Sequence, residues 1–150
     1  MNFPRLIASG FGSGFFPVAP GTAGSLVALA IGVPLFWLSP WLLVAAALAA
    51  CAGGVWAVRA TDAKGDPGWI VIDEFAGQWI AMLGLGTPTP LGLLAAFALF
   101  RLFDIWKPGP VGWADRWHTP AGVVADDAIA GAMAAAVLVA ARAVLPTVFG

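Results

Sequence analysis

Charge is absent from three long stretches of this chain, Leu26 to Val58, Phe75 to Phe100 and Ala128 to Ala141; every Asp, Glu, Lys and Arg falls before, between or after them. Crossing the hydrocarbon core of a bilayer takes about 20 apolar residues, so these stretches predict membrane segments. The first is longer than one span needs and is interrupted at Ser39-Pro40, where proline favours a tight turn between two helices, Thr22 to Leu38 and Trp41 to Val58. Gly84, Gly86, Pro88 and Pro90 break the second into a helix over Ile70 to Leu85 and another over Leu91 to Phe103. Both are short for a span and are expected to be tilted, interfacial or shielded by neighbours. A last helix runs from Val123 to Leu145, before Pro146. The expected fold is all-α: one domain over 1–150, an integral membrane bundle of about five helices. Met1 to Ser25 carries three prolines and no continuous apolar core, so it does not read as a signal peptide. Its Ser9 to Gly14 stretch is expected to be a glycine-rich surface loop.

Composition agrees with a membrane protein: 61% of residues are hydrophobic and 10% charged, with mean hydropathy +0.91, against about 45–50% apolar in soluble domains. A net charge of −1 lacks the basic footprint of a nucleic-acid binder. Cys51 is the single cysteine, which excludes an internal disulfide and a cysteine-rich metal site. Threading the five segments alternately through a bilayer puts Arg5, Arg59, Lys64, Arg101, Lys107 and Arg116 on one side and only Arg142 towards the other. The positive-inside rule makes the first side cytoplasmic. All eight acidic residues fall on that side too, and the opposite turns are uncharged. Trp37 and Trp41 would mark the outer interface, and Trp56, Trp69, Trp106, Trp113 and Trp117 the inner one.

The chemistry is therefore expected at one face, in three acidic sites: Asp73-Glu74, Asp104 and Asp126-Asp127. Adjacent carboxylates at membrane depth repel one another and are expensive to desolvate, and a divalent cation would neutralise them. Oxygen ligands without cysteine, and with His118 the one histidine, suit Mg²⁺ better than zinc. Capping of helix N-termini by Asp73 and Asp126 is the other reading, and spacing leaves both open. Arg101, Asp104 and Lys107 are spaced by three, so on a helix they share a face. There the two cations could hold a phosphate or simply form a surface salt-bridge ladder. Pro20-Gly21-Thr22-Ala23-Gly24-Ser25 opens the first apolar helix, either as an anion cradle with the Thr22 and Ser25 hydroxyls or as an ordinary threonine cap. Cys51 lies eight positions before Arg59, so the Cys-x₅-Arg loop of cysteine phosphatases is absent.

Four blocks together resemble the bacterial phosphatidylglycerophosphatase A family: Ala19-Pro20-Gly21-Thr22-Ala23-Gly24-Ser25-Leu26, Ile70-Val71-Ile72-Asp73-Glu74-Phe75-Ala76-Gly77, Phe100-Arg101-Leu102-Phe103-Asp104-Ile105-Trp106-Lys107-Pro108, and Asp126-Asp127-Ala128-Ile129-Ala130-Gly131. Each block alone is weak, but their order and spacing are specific. The resemblance implies an all-helical, Mg²⁺-dependent, multi-pass lipid phosphatase of the bacterial inner membrane, its site facing the cytoplasm. Its implied reaction, in phospholipid biosynthesis, turns phosphatidylglycerophosphate into phosphatidylglycerol and phosphate, with no obligatory protein partner evident. It further implies Asp73, Glu74, Asp104 and Asp127 as catalytic acids, joined by Asp126 as metal ligands, with Arg101 and Lys107 binding phosphate and Thr22 and Ser25 in support. Two other readings are a Mg²⁺-dependent headgroup transferase, whose Asp-Gly-x₂-Ala-Arg signature is missing here, and a non-enzymatic membrane subunit.

Overall fold

The computed structural model describes residues 1–63 and 67–149, so Lys64 and Asp66, counted above on the charged side, lie outside the described residues. The described chain is helical: α1 (Phe3–Ala8), α2 (Pro20–Leu38), α3 (Pro40–Ala60), α4 (Ile72–Met82), α5 (Pro90–Trp106), α6 (Pro110–Asp115), α7 (Pro120–Val144) and α8 (Pro146–Phe149), with one 3₁₀ turn at Ser13–Phe15. The five helices expected from the charge gaps are α2, α3, α4, α5 and α7; α1, α6 and α8 are additional short pieces.

Proline sets most of the boundaries. It stands at the first position of α2, α3, α5, α6, α7 and α8, where the missing N–H costs nothing and the fixed φ suits a helix. The side chains of Ser39, Thr89 and Thr119 cap α3, α5 and α7 by accepting from the amides of Trp41, Gly92 and Gly122. Reading proline as a breaker placed these starts up to three residues late. The shift matters most in α7: beginning at Pro120 under a Thr119 cap, it carries Asp126 and Asp127 in its interior, so Asp126 is not an N-cap. Thr22 likewise lies inside α2, whose cap residue is Ala19.

The Ser9 to Gly14 stretch is not a surface loop. Ser9 is fully buried, and a Cβ on Gly14 would run into the carbonyl of Trp69. Gly10, Phe11 and Gly12 take positive φ to turn the chain back, and Val71 N–H donates to Ala8 O at 2.9 Å, tying α1 to the entrance of α4.

Three helices, α2, α3 and α7, are long and apolar enough to cross a membrane; at 1.5 Å per residue they measure about 28, 32 and 38 Å. α5, with 17 residues, is about 26 Å long, and α4, with 11, only about 17 Å. The short middle segment expected between Ile70 and Leu85 is thus shielded: every residue of α4 except Glu74 and Ile80 is buried, against α7, α3, α2 and α5. Its broken ends comply with the rule that irregular backbone at membrane depth must be enclosed by protein. Gly84 is buried, and its carbonyl accepts from Arg142 Nη1 at 3.4 Å.

Small residues on α4 and on the surrounding helices let α4 in. An added Cβ would lie 2.6 Å from Asp127 O at Gly77, 2.8 Å from Val71 at Gly24, and 2.8 Å from the Trp79 ring at Gly32; at Gly131 it would strike the Gly77 backbone. Trp79 then anchors α4 to α2 by donating its Nε1–H to Ala28 O at 2.7 Å. Such close approach gains dispersion contacts that an apolar solvent does not otherwise drive. Trp37 and Trp41, either side of the α2–α3 turn, are exposed, as are Trp56, Trp106, Trp113 and Trp117.

Gly131→Ala should accordingly destabilise the bundle by about 1–3 kcal/mol through overpacking. Gly53→Ala, whose new methyl meets nothing within 4 Å, should leave stability unchanged or raise it by up to about 1 kcal/mol. Thermal unfolding in detergent followed by circular dichroism checks both; equal losses would refute the close-packing role of Gly131.

Candidate active site

Four helix ends converge on one cavity of about 300 Å³. The first turn of α4 supplies Asp73 and Glu74, the C-terminal part of α5 Arg101 and Asp104, with Lys107 as its C-cap, the N-terminal part of α7 Asp126 and Asp127, and the first turn of α2 Pro20 and Gly21. The three acidic sites scattered over more than fifty residues of sequence are one site in space.

The acids divide into two groups. Asp73, Glu74 and Asp127 each offer a carboxylate oxygen, all within 4.8 Å of one another. Asp104 and Asp126 instead hold cations: Asp104 is paired with Arg101, and Asp126 Oδ2 lies 2.5 Å from Lys107 Nζ. Arg101 also stands 3.7 Å from Glu74 Oε1, and Lys107 lies 3.1 Å from Asp115 Oδ1 and 4.0 Å from Asp104 Oδ1. The shared face expected of Arg101, Asp104 and Lys107 is present. Lys107, however, has left the helix at φ 51°, ahead of Pro108, and reaches across to α7. Burial works against its charge, but Asp126 and Asp115 outweigh it and hold the ammonium above its usual value.

Burial is also the main force on Glu74, whose carboxyl is pushed above the usual carboxylate range, with Asp104 adding to the shift and Asp73 and Arg101 opposing it. Glu74 Oε2 and Asp127 Oδ2 are buried without a hydrogen-bond partner among the described residues. Orphaned carboxylate oxygens on a three-acid cluster are what a hard divalent cation satisfies. The donor set therefore fits Mg²⁺, and Asp73, Glu74 and Asp127 are the residues that would hold it.

The glycine-rich block contributes differently from its expected role. Gly21 faces the cavity so closely that a Cβ would strike the Glu74 carboxylate and lie 3.2 Å from Arg101 Nη2. Thr22 lines a separate apolar groove. Ser25 is fully buried, and its Oγ donates to Gly21 O at 2.9 Å within the helix.

Sequence reasoning missed three residues. Asp115 completes the Lys107 cluster from α6, a helix that reasoning did not expect. Gly21 stands in the sequence only as one member of the block that opens the first apolar helix, with no contact of its own expected. Gln78 is fully buried, with neither amide atom partnered among the described residues, one helical turn beyond Glu74; a lone amide in an otherwise apolar segment was the available signal.

Because Asp126 is buried, Lys107→Met should cost about 2–4 kcal/mol by stranding a charge. Lys107→Met with Asp126→Leu should recover most of that stability. Detergent unfolding of the double-mutant cycle measures the coupling; additive losses would show that the pair does not stabilise the fold.

Comparison with known proteins gives the chain its family. The family model described as phosphatidylglycerophosphatase A matches residues 6–142. Phosphatidylglycerophosphatase A of Escherichia coli is 40% identical over 139 residues, covering 89% of this chain and 80% of that protein. Its namesake in Haemophilus influenzae is 39% identical over 145 residues, covering 93% and 89%. A Bacteroides thetaiotaomicron protein provisionally named a phosphatidylinositol-3-phosphatase is 38% identical over 151 residues, covering 95% of each. No solved structure matches the chain. With the family model spanning nearly its whole length and relatives near 40% identity, the chain belongs to the phosphatidylglycerophosphatase A family.

Proposed function

We propose that this protein is a Mg²⁺-dependent phosphatase that hydrolyses phosphatidylglycerophosphate to phosphatidylglycerol and phosphate at the cytoplasmic face of a bacterial inner membrane. The observation that carries it is the cavity itself: three clustered carboxylates, two of which, Glu74 and Asp127, have an orphaned oxygen, beside an arginine and a lysine, in a chain related to phosphatidylglycerophosphatases. Acids alone would repel a phosphate. Arg101 and Lys107 in the same cavity reverse that, and a cation held by the carboxylates would complete the reversal.

Phosphate monoesters hydrolyse extremely slowly unaided, so the site must stabilise charge on the phosphoryl oxygens and direct a nucleophile. Asp73, Glu74 and Asp127 would hold Mg²⁺, which would supply Lewis acidity when bound. Arg101 and Lys107 orient the phosphoryl group. A phosphate dianion is a strong partner for a guanidinium, so its arrival draws Arg101 away from Asp104. Asp104, released, accepts a proton from the attacking water as the water oxygen bonds to phosphorus. The bond from phosphorus to the glycerol oxygen breaks, and the same proton passes to that oxygen. Thr22 and Ser25 act at one remove, through the α2 turn that presents Gly21. The lipid's acyl chains stay in the bilayer, so substrate reaches the site by lateral diffusion.

The name of the Bacteroides relative raises a second reading, a phosphoinositide monoester as substrate. Phosphate release by purified protein from phosphatidylglycerophosphate and from phosphatidylinositol 3-phosphate in mixed micelles, with Mg²⁺ or EDTA, separates the two. The expected result is Mg²⁺-dependent release from the glycerophosphate lipid, lost on the order of 10²–10³-fold in folded Asp127→Asn and Asp104→Asn. Release from the inositol lipid alone would transfer the assignment, and no release with any divalent ion would refute a phosphatase.

The charged end can be located separately. In a Cys51→Ala background, Asp62→Cys on the exposed turn after α3 should resist an impermeant maleimide in intact spheroplasts and react once they are opened. Labelling of intact spheroplasts would invert the proposed orientation.

A further inference from the structure

Two concave surfaces meet at the first turn of α2. Pro20 and Gly21 face the acidic cavity. The very next residues, Thr22 and Ala23, with Leu26 and Val27 a turn further on, face a second groove of about 360 Å³, bounded by Phe16 and Val18 from the preceding segment. Phe16, Val18, Leu26 and Val27 are all exposed, an arrangement unfavourable in water but suited to a helix long and apolar enough to cross a membrane. The groove opens where the span begins, and its lining residues Ala19 and Thr22 flank Pro20 and Gly21, which line the polar cavity.

We propose that this groove seats an acyl chain of the same lipid molecule whose phosphorylated headgroup occupies the cavity. The inference rests on the reading that the substrate is a phosphorylated membrane lipid. Continuity selects this groove. From Gly21 to Ala23 the helix rises only about 3 Å, and from Gly21 to Val27 about 9 Å. A lipid with its terminal phosphate between Arg101 and Lys107 can thus lay its glycerol linker over the first turn and its chain down the outer face of α2. A larger apolar groove, about 460 Å³, lies under α1 against Trp56, but where α4 borders both that groove and the cavity, Ile72, Asp73 and Trp79 are buried, whereas Gly21, Thr22 and Ala23 beside the α2 groove are partly exposed. Thr22 is the one residue of its block with a hydroxyl in the outer groove near the cavity, where it would meet the ester region of the lipid rather than the phosphate. Ala23 leaves the groove open beside it, and a large side chain there would close it.

The test uses the full chain in phosphatidylcholine nanodiscs with phosphatidylglycerophosphate carrying a diazirine in its acyl chain, cross-links being mapped by mass spectrometry. Cross-links should concentrate on residues 16–27 and fall at least about fivefold in Arg101→Gln, which removes a headgroup anchor; a phosphatidylcholine diazirine probe should show no such dependence. Uniform labelling of lipid-facing helices, or labelling of 16–27 indifferent to Arg101, would overturn the proposal. Kinetics supply the second arm. Ala23→Phe should raise the ratio of KM for a dioleoyl substrate to KM for a dihexanoyl one by at least about fivefold. Ala23→Val should raise it less, and Leu48→Phe, on the exposed face of α3, should leave it unchanged. A constant ratio in both Ala23 variants refutes the groove. Absence of phosphate release from wild-type protein with either chain length would refute the phosphatase reading alone, since the cross-link pattern is read without turnover.

Discussion

The arrangement turns on one electrostatic constraint: five carboxylates are gathered at one end of an apolar bundle, with Arg101 and Lys107 the two cations of the cavity they line. Charge in such surroundings must be paired or neutralised. Arg101 and Lys107 satisfy Asp104 and Asp126, and the remaining negative charge falls on Asp73, Glu74 and Asp127, with two of their oxygens left without partners. The site thereby serves two needs at once: its three-acid cluster wants a cation, and its two cations are ones that a phosphate can claim. Such an arrangement is poorly suited to mere stability, because apolar residues in place of buried ion pairs often stabilise as well or better.

That gathering depends on a short helix at the centre. α4 is too short to span, yet it is the element that every long helix packs against. Gly77 and Gly131 let its backbone lie against α7, and this contact brings Asp73 and Glu74 beside Asp127. Larger residues at those two positions would separate the acids before they touched any chemistry. The helix dipole adds a smaller favourable term, since Asp73 and Glu74 sit in the first turn of α4.

Much of this was legible in the sequence, for a physical reason: in a membrane protein charge is expensive, so its positions alone outline segments and site. The gaps between charges found the five principal helices, and the spacing of Arg101, Asp104 and Lys107 found their common face. What sequence could not show was which acid takes which partner. Asp126 and Asp127 are neighbours, but 100° of helical rotation sends one to Lys107 and the other to the acid cluster. Helix starts were misjudged wherever a proline initiated rather than ended a helix. The amino-terminal glycines were misjudged because their positive φ values serve a buried turn instead of a surface loop.

The same rotation explains how a polar site and an apolar surface can occupy one turn of α2. Gly21 must be small because the Glu74 carboxylate and the Arg101 guanidinium come against its backbone. Thr22 and Ala23, turned away from them, face the groove outside. A phosphorylated lipid has the matching division, a charged end and a hydrocarbon end separated by a short linker. A soluble phosphatase must lift such a molecule out of the bilayer, losing the hydrophobic stabilisation of its chains. Here the acids lie at the end of a helix long enough to span the bilayer, so the phosphate can reach them while the chains remain in hydrocarbon.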